Sequence, residues 1–272
     1  MTDVTTEDGV RLHVHVEGEG PDVVLIHGWP LSHRMWHAQQ ATLVRAGFRV
    51  IAYDRRGFGE SDKPDGGYDY DTLSDDLAAV LAALDADRVA LVGFSMGGGE
   101  VARYMSRHNG DRVVRACLVS AVPPYLLRDE GNPSGVPRDQ FEAMKAGIRE
   151  DRAGFFREFA KPLYGLDGGH DVPDDVLEDT HRMAMQASET ATLACVDAFG
   201  TTDFRPDMAA FKVKTLVVHG TGDAIVPIGV SGEASAASIE NARLERYDDA
   251  PHGLVATHAE RLGADLRQFI QG

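Results

Sequence analysis

The sequence predicts an α/β protein: a mostly parallel central sheet flanked by helices, with an all-helical segment inserted between two sheet strands. Three observations predict it. Short β-branched runs alternate with longer helical patterns along most of the 272 residues, the pattern of strand–helix–strand units wound into one sheet. Several of those runs are apolar throughout, as strands buried on both faces are. From residue 123 to about 205 the pattern turns helical, without a buried strand. This divides the chain into a core of 1–122 and 206–272 and a helical cap of 123–205.

Taken in order, "RLHVHVEG" alternates with period two, as a half-buried strand does. "DVVLIHG" and "RVIAYD" are continuous apolar strands, and between them "HRMWHAQQATLVRAGF" reads as a helix closed by Gly47. "YDTLSDDLAAVLAALDADR" is a second helix and "VALVGFS" a buried strand. "GGEVARYMSRHNG" is a helix ended by Asn109 and Gly110, and "VVRACLVSA" a strand. "PPYLLRDEGNPSGVP" opens the insertion as a loop. The strands "KTLVVHG" and "RLERYDD" and the helix "AERLGADLRQFIQ" complete the core, with His258 assigned to that last helix pattern.

Composition excludes several function classes. The net charge of −16 gives a surface that repels nucleic acid and anionic lipid, so neither is an expected partner. No apolar run approaches the length of a membrane span. "MTDVTTEDGV" is polar and acidic, without the basic and apolar regions of an export signal, which makes cytoplasmic the expected location. The two cysteines, Cys117 and Cys195, both lie in apolar runs and read as small buried residues.

Gly93, Ser95 and Gly97 make the one G-x-S-x-G match in the chain, where a buried strand hands over to a helix. A nucleophile at such a position needs a tight, strained turn, and small residues two positions either side let the chain form it. The amide of Met96 then opens the helix beside the hydroxyl. Gly97, Gly99 and Ala102 also satisfy a dinucleotide fingerprint, but the following strand ends in Ser120 and Ala121 rather than a ribose-binding carboxylate.

A nucleophilic serine needs a base and the base an orienting carboxylate, here in the chain order serine, acid, histidine. Asp223 directly follows the strand "KTLVVHG", and His252 lies in the loop after the last strand. Asp248 and Asp249 read as turn residues. The pairs His13/His15 and His33/His37 lack a third ligand at metal-binding spacing, so no metal is assigned. In "LIHGWPLS" the glycine lets the backbone turn so that the Trp29 amide faces Ser95, while Pro30 stiffens the loop.

The segments "HGWPLS", "YDRRGFGESDKP", "LVGFSMGGGEVARY", "LVSAVPP", "TTDF", "LVVHGTGDAIVPI" and "APHGL" resemble, in order and over nearly the whole chain, the α/β-hydrolase fold. The wording "GFSMGGGEVARY" is similar to one branch, the bacterial cofactor-free haloperoxidases, which overlap with aryl esterases and perhydrolases. Dehalogenases and many epoxide hydrolases of this fold carry aspartate where this chain has Ser95, which sets those chemistries aside. The resemblance implies Ser95 as nucleophile, His252 as base, Asp223 as its orienter, and the amides of Trp29 and Met96 as oxyanion donors. It makes the turn from Asp54 to Gly57 structural, and it extends to Pro30, which related perhydrolases share.

The expected activity is cleavage of small or aromatic esters through an acyl-enzyme at Ser95, opened by water or by peroxide. Trp29, Met96 and the cap residues Phe155, Phe156 and Phe159 suggest an apolar acyl site. Expected partners are a small ester, or a carboxylic acid plus peroxide, and a homo-oligomer is compatible with the sequence. No cofactor is expected, since halogenation would follow from released peracid. Two rivals share the fold: a lactonase or lactamase with the same three residues, and a binding protein that has lost turnover.

Overall fold

The computed structural model describes residues 2–272. Its strands are β1 (Thr2–Thr5), β2 (Arg11–Glu17), β3 (Asp22–Ile26), β4 (Arg49–Tyr53), β5 (Val89–Phe94), β6 (Val113–Val119), β7 (Lys214–Gly220) and β8 (Ala242–Tyr247). They form one eight-stranded sheet in the order β1-β2-β4-β3-β5-β6-β7-β8. Only the β1–β2 and β2–β4 pairings are antiparallel; from β4 to β8 every neighbour is parallel.

The apolar runs are explained by two hydrophobic layers. Along β3, Val24 and Ile26 enter the layer on one face, while Val23 and Leu25 enter the other. Along β6, Ala116 and Leu118 are divided in the same way from Cys117 and Val119. A strand covered on both sides favours apolar side chains at nearly every position.

The helices are α1 (His37–Arg45), α2 (Tyr70–Ala83), α3 (Met96–Arg107), α4 (Arg138–Tyr164), α5 (Asp174–Gln186), α6 (Glu189–Thr201), α7 (Gly232–Ser238), α8 (Leu254–Thr257) and α9 (Ala259–Gln271). Side-chain caps fix two of their starts: Asp69 accepts from the Thr72 amide, and Ser188 from the Ala191 amide. Helix α4 bends at Asp151 and ends at Gly165, which supplies the left-handed φ of 66°.

Helices α4, α5 and α6 lie between β6 and β7. The chain leaving β6 and the chain returning to β7 touch, since the Phe204 amide donates to the Pro124 carbonyl at 2.8 Å. The hydroxyl of Ser235 on α7 donates to the neighbouring Pro123 carbonyl at 2.8 Å.

Several features differ from the sequence expectation. The polar start forms β1, an edge strand with only Val4 buried. The expected α2 stops at Ala83 rather than running to Arg88, and Asp85 and Arg88 take positive φ in the turn that follows. His258 stands between α8 and α9 at φ −125° rather than inside the last helix, because two short helices meet there.

Candidate active site

Ser95 occupies the single residue between β5 and α3, at φ 53° and ψ −118°. That conformation costs an L-residue on the order of 1–3 kcal/mol, and the surroundings hold it from both sides. The Ser95 amide donates to the Val119 carbonyl at 2.9 Å, while its own carbonyl accepts from Gly98 and Val122 at 3.0 and 3.2 Å. Close approach explains the flanking glycines. A Cβ on Gly93 would stand 2.4 Å from the Gly97 carbonyl oxygen, and one on Gly97 would stand 2.5 Å from that of Ile26.

The strained turn aims the Ser95 hydroxyl at His252, whose Nε2 lies 2.9 Å from Oγ. On the far side of the ring, Nδ1 lies 2.7 Å from Asp223 Oδ2. With Nδ1–H donating to the carboxylate, Nε2 is left to accept from the hydroxyl. All three side chains are buried. The other Asp223 oxygen accepts from the amides of Ile225 and Val226 at 3.0 and 2.8 Å. Burial pushes the Asp223 carboxyl up, but the His252 charge and the His219 hydrogen bond outweigh it and hold the group well below the usual carboxylate range.

His219 is a functional-site neighbour that motif reading missed. It is fully buried at the end of β7, and its Nε2 donates to the Val226 carbonyl at 2.9 Å. The same nitrogen stands 3.2 Å from Asp223 Oδ2. The available signal was a histidine four residues before the acid, directly after the apolar run Leu216–Val217–Val218.

The loop carrying Trp29 rests on a buried polar network. Arg55 pairs with Glu100, both without exposed side-chain surface. The Tyr53 hydroxyl donates to Glu100 at 2.6 Å. The Arg55 guanidinium donates to the His27 carbonyl at 2.7 Å, and the Arg55 amide donates to His27 Nε2 at 3.0 Å. His27 Nδ1 then donates to the Gly28 carbonyl at 2.9 Å. Burial, with the Arg55 charge adding to it, pushes the His27 pKa down to about 3, so the ring stays a neutral acceptor. Among the described residues the Trp29 amide donates to no protein acceptor. The Met96 amide opens α3 and has no intrahelical partner.

A cavity of about 210 Å³ reaches Ser95 and His252, walled by Trp29, Phe141, Met144, Phe159 and Phe199 among others. The Trp29 ring packs edge-on to Phe159 at 5.3 Å, and its Nε1 donates to the Thr192 carbonyl at 3.0 Å. Three expected acyl-site residues are placed elsewhere. Phe155 stacks behind Phe159 at 6.0 Å rather than on the cavity wall, because the bend of α4 at Asp151 folds it against Gly147. The Met96 side chain is fully buried in the core, so only its backbone stands beside Ser95. Phe156 supports the Trp29 ring from behind. The wall residues Phe141, Met144 and Phe199 come from α4 and α6, and no local motif marks them.

A larger cleft of about 730 Å³ runs between α1 and α5 and includes none of Ser95, Asp223 or His252. Chemistry, not size, selects the smaller cavity as the candidate site. Among the described residues, no group of three or more His, Cys, Asp or Glu side chains is arranged to hold a metal ion. No helix among them is long and apolar enough to cross a membrane.

A parallel sheet whose central strand ends in a strained serine turn, with acid and histidine loops at the same edge, defines the α/β-hydrolase architecture. The model of the alpha/beta hydrolase fold family matches residues 21–259, and the chain belongs to that family. It is 42% identical over 269 residues to a non-heme chloroperoxidase of Kitasatospora aureofaciens, covering 98% of each chain. It is 38% identical to a bifunctional esterase/perhydrolase of Acinetobacter calcoaceticus, covering 98% of this chain and 99% of the relative. Among solved structures, a bromoperoxidase from Bacillus anthracis superimposes with a TM-score of 0.96 at 42% identity, covering 100% of this chain and 99% of the other.

Proposed function

We propose that the protein is a serine hydrolase of small or aromatic carboxylic esters that also makes peracids from carboxylic acids and hydrogen peroxide. The observation that carries this reading is the continuous contact from Ser95 through His252 to Asp223, at 2.9 and 2.7 Å, built on a strained turn. Ser95 Oγ attacks the carbonyl carbon while His252 Nε2 takes its proton, and Asp223 steadies the imidazolium that forms. The amides of Trp29 and Met96 receive the oxyanion. His252 returns the proton to the leaving alcohol, and water or peroxide then opens the acyl-enzyme. Segment 123–205 serves as a cap, and its Phe159, with Trp29, walls the acyl group.

The relatives support both halves of the activity. One is named a bifunctional esterase/perhydrolase and others non-heme chloroperoxidases, while an esterase from Exiguobacterium antarcticum superimposes with a TM-score of 0.95 at 30% identity, covering 100% of this chain and 99% of the other. Fluorophosphonate labelling followed by peptide mapping tests the nucleophile. The adduct is expected on Ser95, and Ser95→Ala should lose both label and esterase activity, the latter by on the order of 10⁴-fold or more. An adduct elsewhere overturns the assignment. Peroxide-dependent bromination of a dye should require an added carboxylate such as acetate. Bromination that persists in Ser95→Ala overturns the perhydrolase half.

A further inference from the structure

We infer that Met144 is a self-oxidation site, converted to its sulfoxide by the peracid the enzyme makes, and that this limits the lifetime of the acyl pocket. The inference rests on the perhydrolase reading and concerns what the product does before it leaves. Met144 lies on α4 and walls the same cavity of about 210 Å³ that reaches Ser95 and His252. It is the one sulfur-bearing side chain on that wall among the described residues. Cys195 and Met96 are fully buried outside it. A peracid released from Ser95 therefore starts its exit across a half-buried thioether in a small, largely apolar space.

The chemistry is an oxygen-atom transfer. A sulfur lone pair attacks the terminal peroxy oxygen, an S–O bond forms as the O–O bond breaks, and the peroxy proton passes to the departing carboxylate. The thioether is oxidised by two electrons to the sulfoxide, and the peracid is reduced to the parent carboxylic acid. The product sulfoxide places a strongly polar, chiral group in the cavity that Phe159 and Phe199 also line. An apolar pocket lining that gains an unpaired acceptor binds apolar acyl groups less well.

The protein carries its own reference for bulk oxidation. Met185, at the end of α5, is 38% exposed and is absent from the cavity wall. Peroxide or peracid in bulk solution reaches Met185 first, whereas peracid born at Ser95 meets Met144 first. The ratio of sulfoxide at the two positions thus reports where the oxidant was made.

The test incubates the full-length enzyme with acetate and hydrogen peroxide, titrates peracid in solution, and maps methionine oxidation by peptide mass spectrometry. Controls omit acetate or use Ser95→Ala. Met144 sulfoxide should rise at least about tenfold over both controls, while Met185 changes less than about twofold. The aryl-ester KM of the oxidised enzyme should rise by about tenfold. In Met144→Leu, a swap close to volume-conserving, the ester rate after incubation should stay near that variant's own starting rate, while wild type declines from its own. Equal Met144 oxidation with peroxide alone overturns the proposal, as does peracid in solution with Met144 intact or with Trp29 oxidised in its place. No peracid in solution overturns the perhydrolase reading and this proposal with it.

Discussion

The Nε2 of His219 stands 3.2 Å from Asp223 Oδ2, the same carboxylate oxygen that His252 Nδ1 approaches at 2.7 Å. One oxygen is thus shared by two imidazoles, one facing the serine and one anchored to the Val226 carbonyl. Val226 returns the contact, because its amide donates to Asp223 Oδ1 at 2.8 Å. On the proposed mechanism, His219 positions the acid. His219→Phe should lower kcat by about tenfold, the worth of one hydrogen bond to a charged group, with KM little changed. His219→Gln, which can present an N–H in the same direction, should recover part of the loss. A matched rise in KM, or no difference between Phe and Gln, would assign the residue to packing alone.

Backbone strain at Ser95 predicts an inverted ranking of small residues. At an ordinary position glycine is less stable than alanine by roughly 0.5–1 kcal/mol. At φ 53° and ψ −118° the Cβ is the source of the strain, so Ser95→Gly should be more stable than Ser95→Ala by about 1 kcal/mol. Both variants lose the hydroxyl, which removes the His252 contact from the comparison. Urea unfolding of the pair checks it, and the ordinary ranking would refute it.

Acid stability should carry the mark of His27. Burial lowers the folded pKa from 6.5 to about 3, so the unfolded chain binds a proton that the folded chain refuses. The resulting stability is fully present above about pH 6.5 and is lost as pH falls toward 3, at up to about 1.4 kcal/mol per pH unit. In His27→Asn an amide oxygen can accept from the Arg55 N–H without titrating. Unfolding free energies from pH 7 to 4 should therefore slope less in the variant than in wild type, and parallel slopes would locate the acid sensitivity elsewhere.

The two α4 phenylalanines should separate in function. Phe159 faces the cavity and Phe155 stacks behind it. Phe159→Ala enlarges the acyl space and should shift kcat/KM toward bulkier acyl groups. Phe155→Ala should cost about 2–4 kcal/mol of stability while leaving the acyl-size ranking unchanged. A panel of aryl esters with graded acyl chains distinguishes them, and the same ranking shift in both variants would refute the division.

The core strands, and the meeting of Ser95, Asp223 and His252, were legible because each rests on a local rule. A strand covered on both faces is mostly apolar, and a strained turn demands glycine at fixed spacing. Strand β1 was not legible, since four residues with only Val4 buried carry no period. Helix α7, with the sequence "GEASAAS", was hidden by small residues that give no apolar stripe. The His219 brace and the Arg55–Glu100 pair were missed for another reason. Their partners lie 4 and 45 residues apart, and only the closed sheet shows which buried polar groups satisfy one another. Phe155 and Phe159 differ by one helical turn, yet their roles depend on the bend at Asp151, which no periodicity predicts.

The contact between the Phe204 amide and the Pro124 carbonyl makes everything between them a closed loop hung from the sheet. The entropy of closing such a loop grows only with the logarithm of its length, about 0.6 kcal/mol for each doubling. A longer, shorter or wholly different segment spliced at 124 and 204 would leave the register of β6 on β7 as it is. The strands that end in Ser95 and lead to Asp223 would not feel the exchange. A segment that keeps the two contacts reaching the candidate site, Gly253 amide to Leu163 carbonyl beside His252 and Trp29 Nε1 to Thr192 carbonyl, can therefore retune which molecules enter the cavity, and a laboratory recombination at 124 and 204 that preserves both should show it.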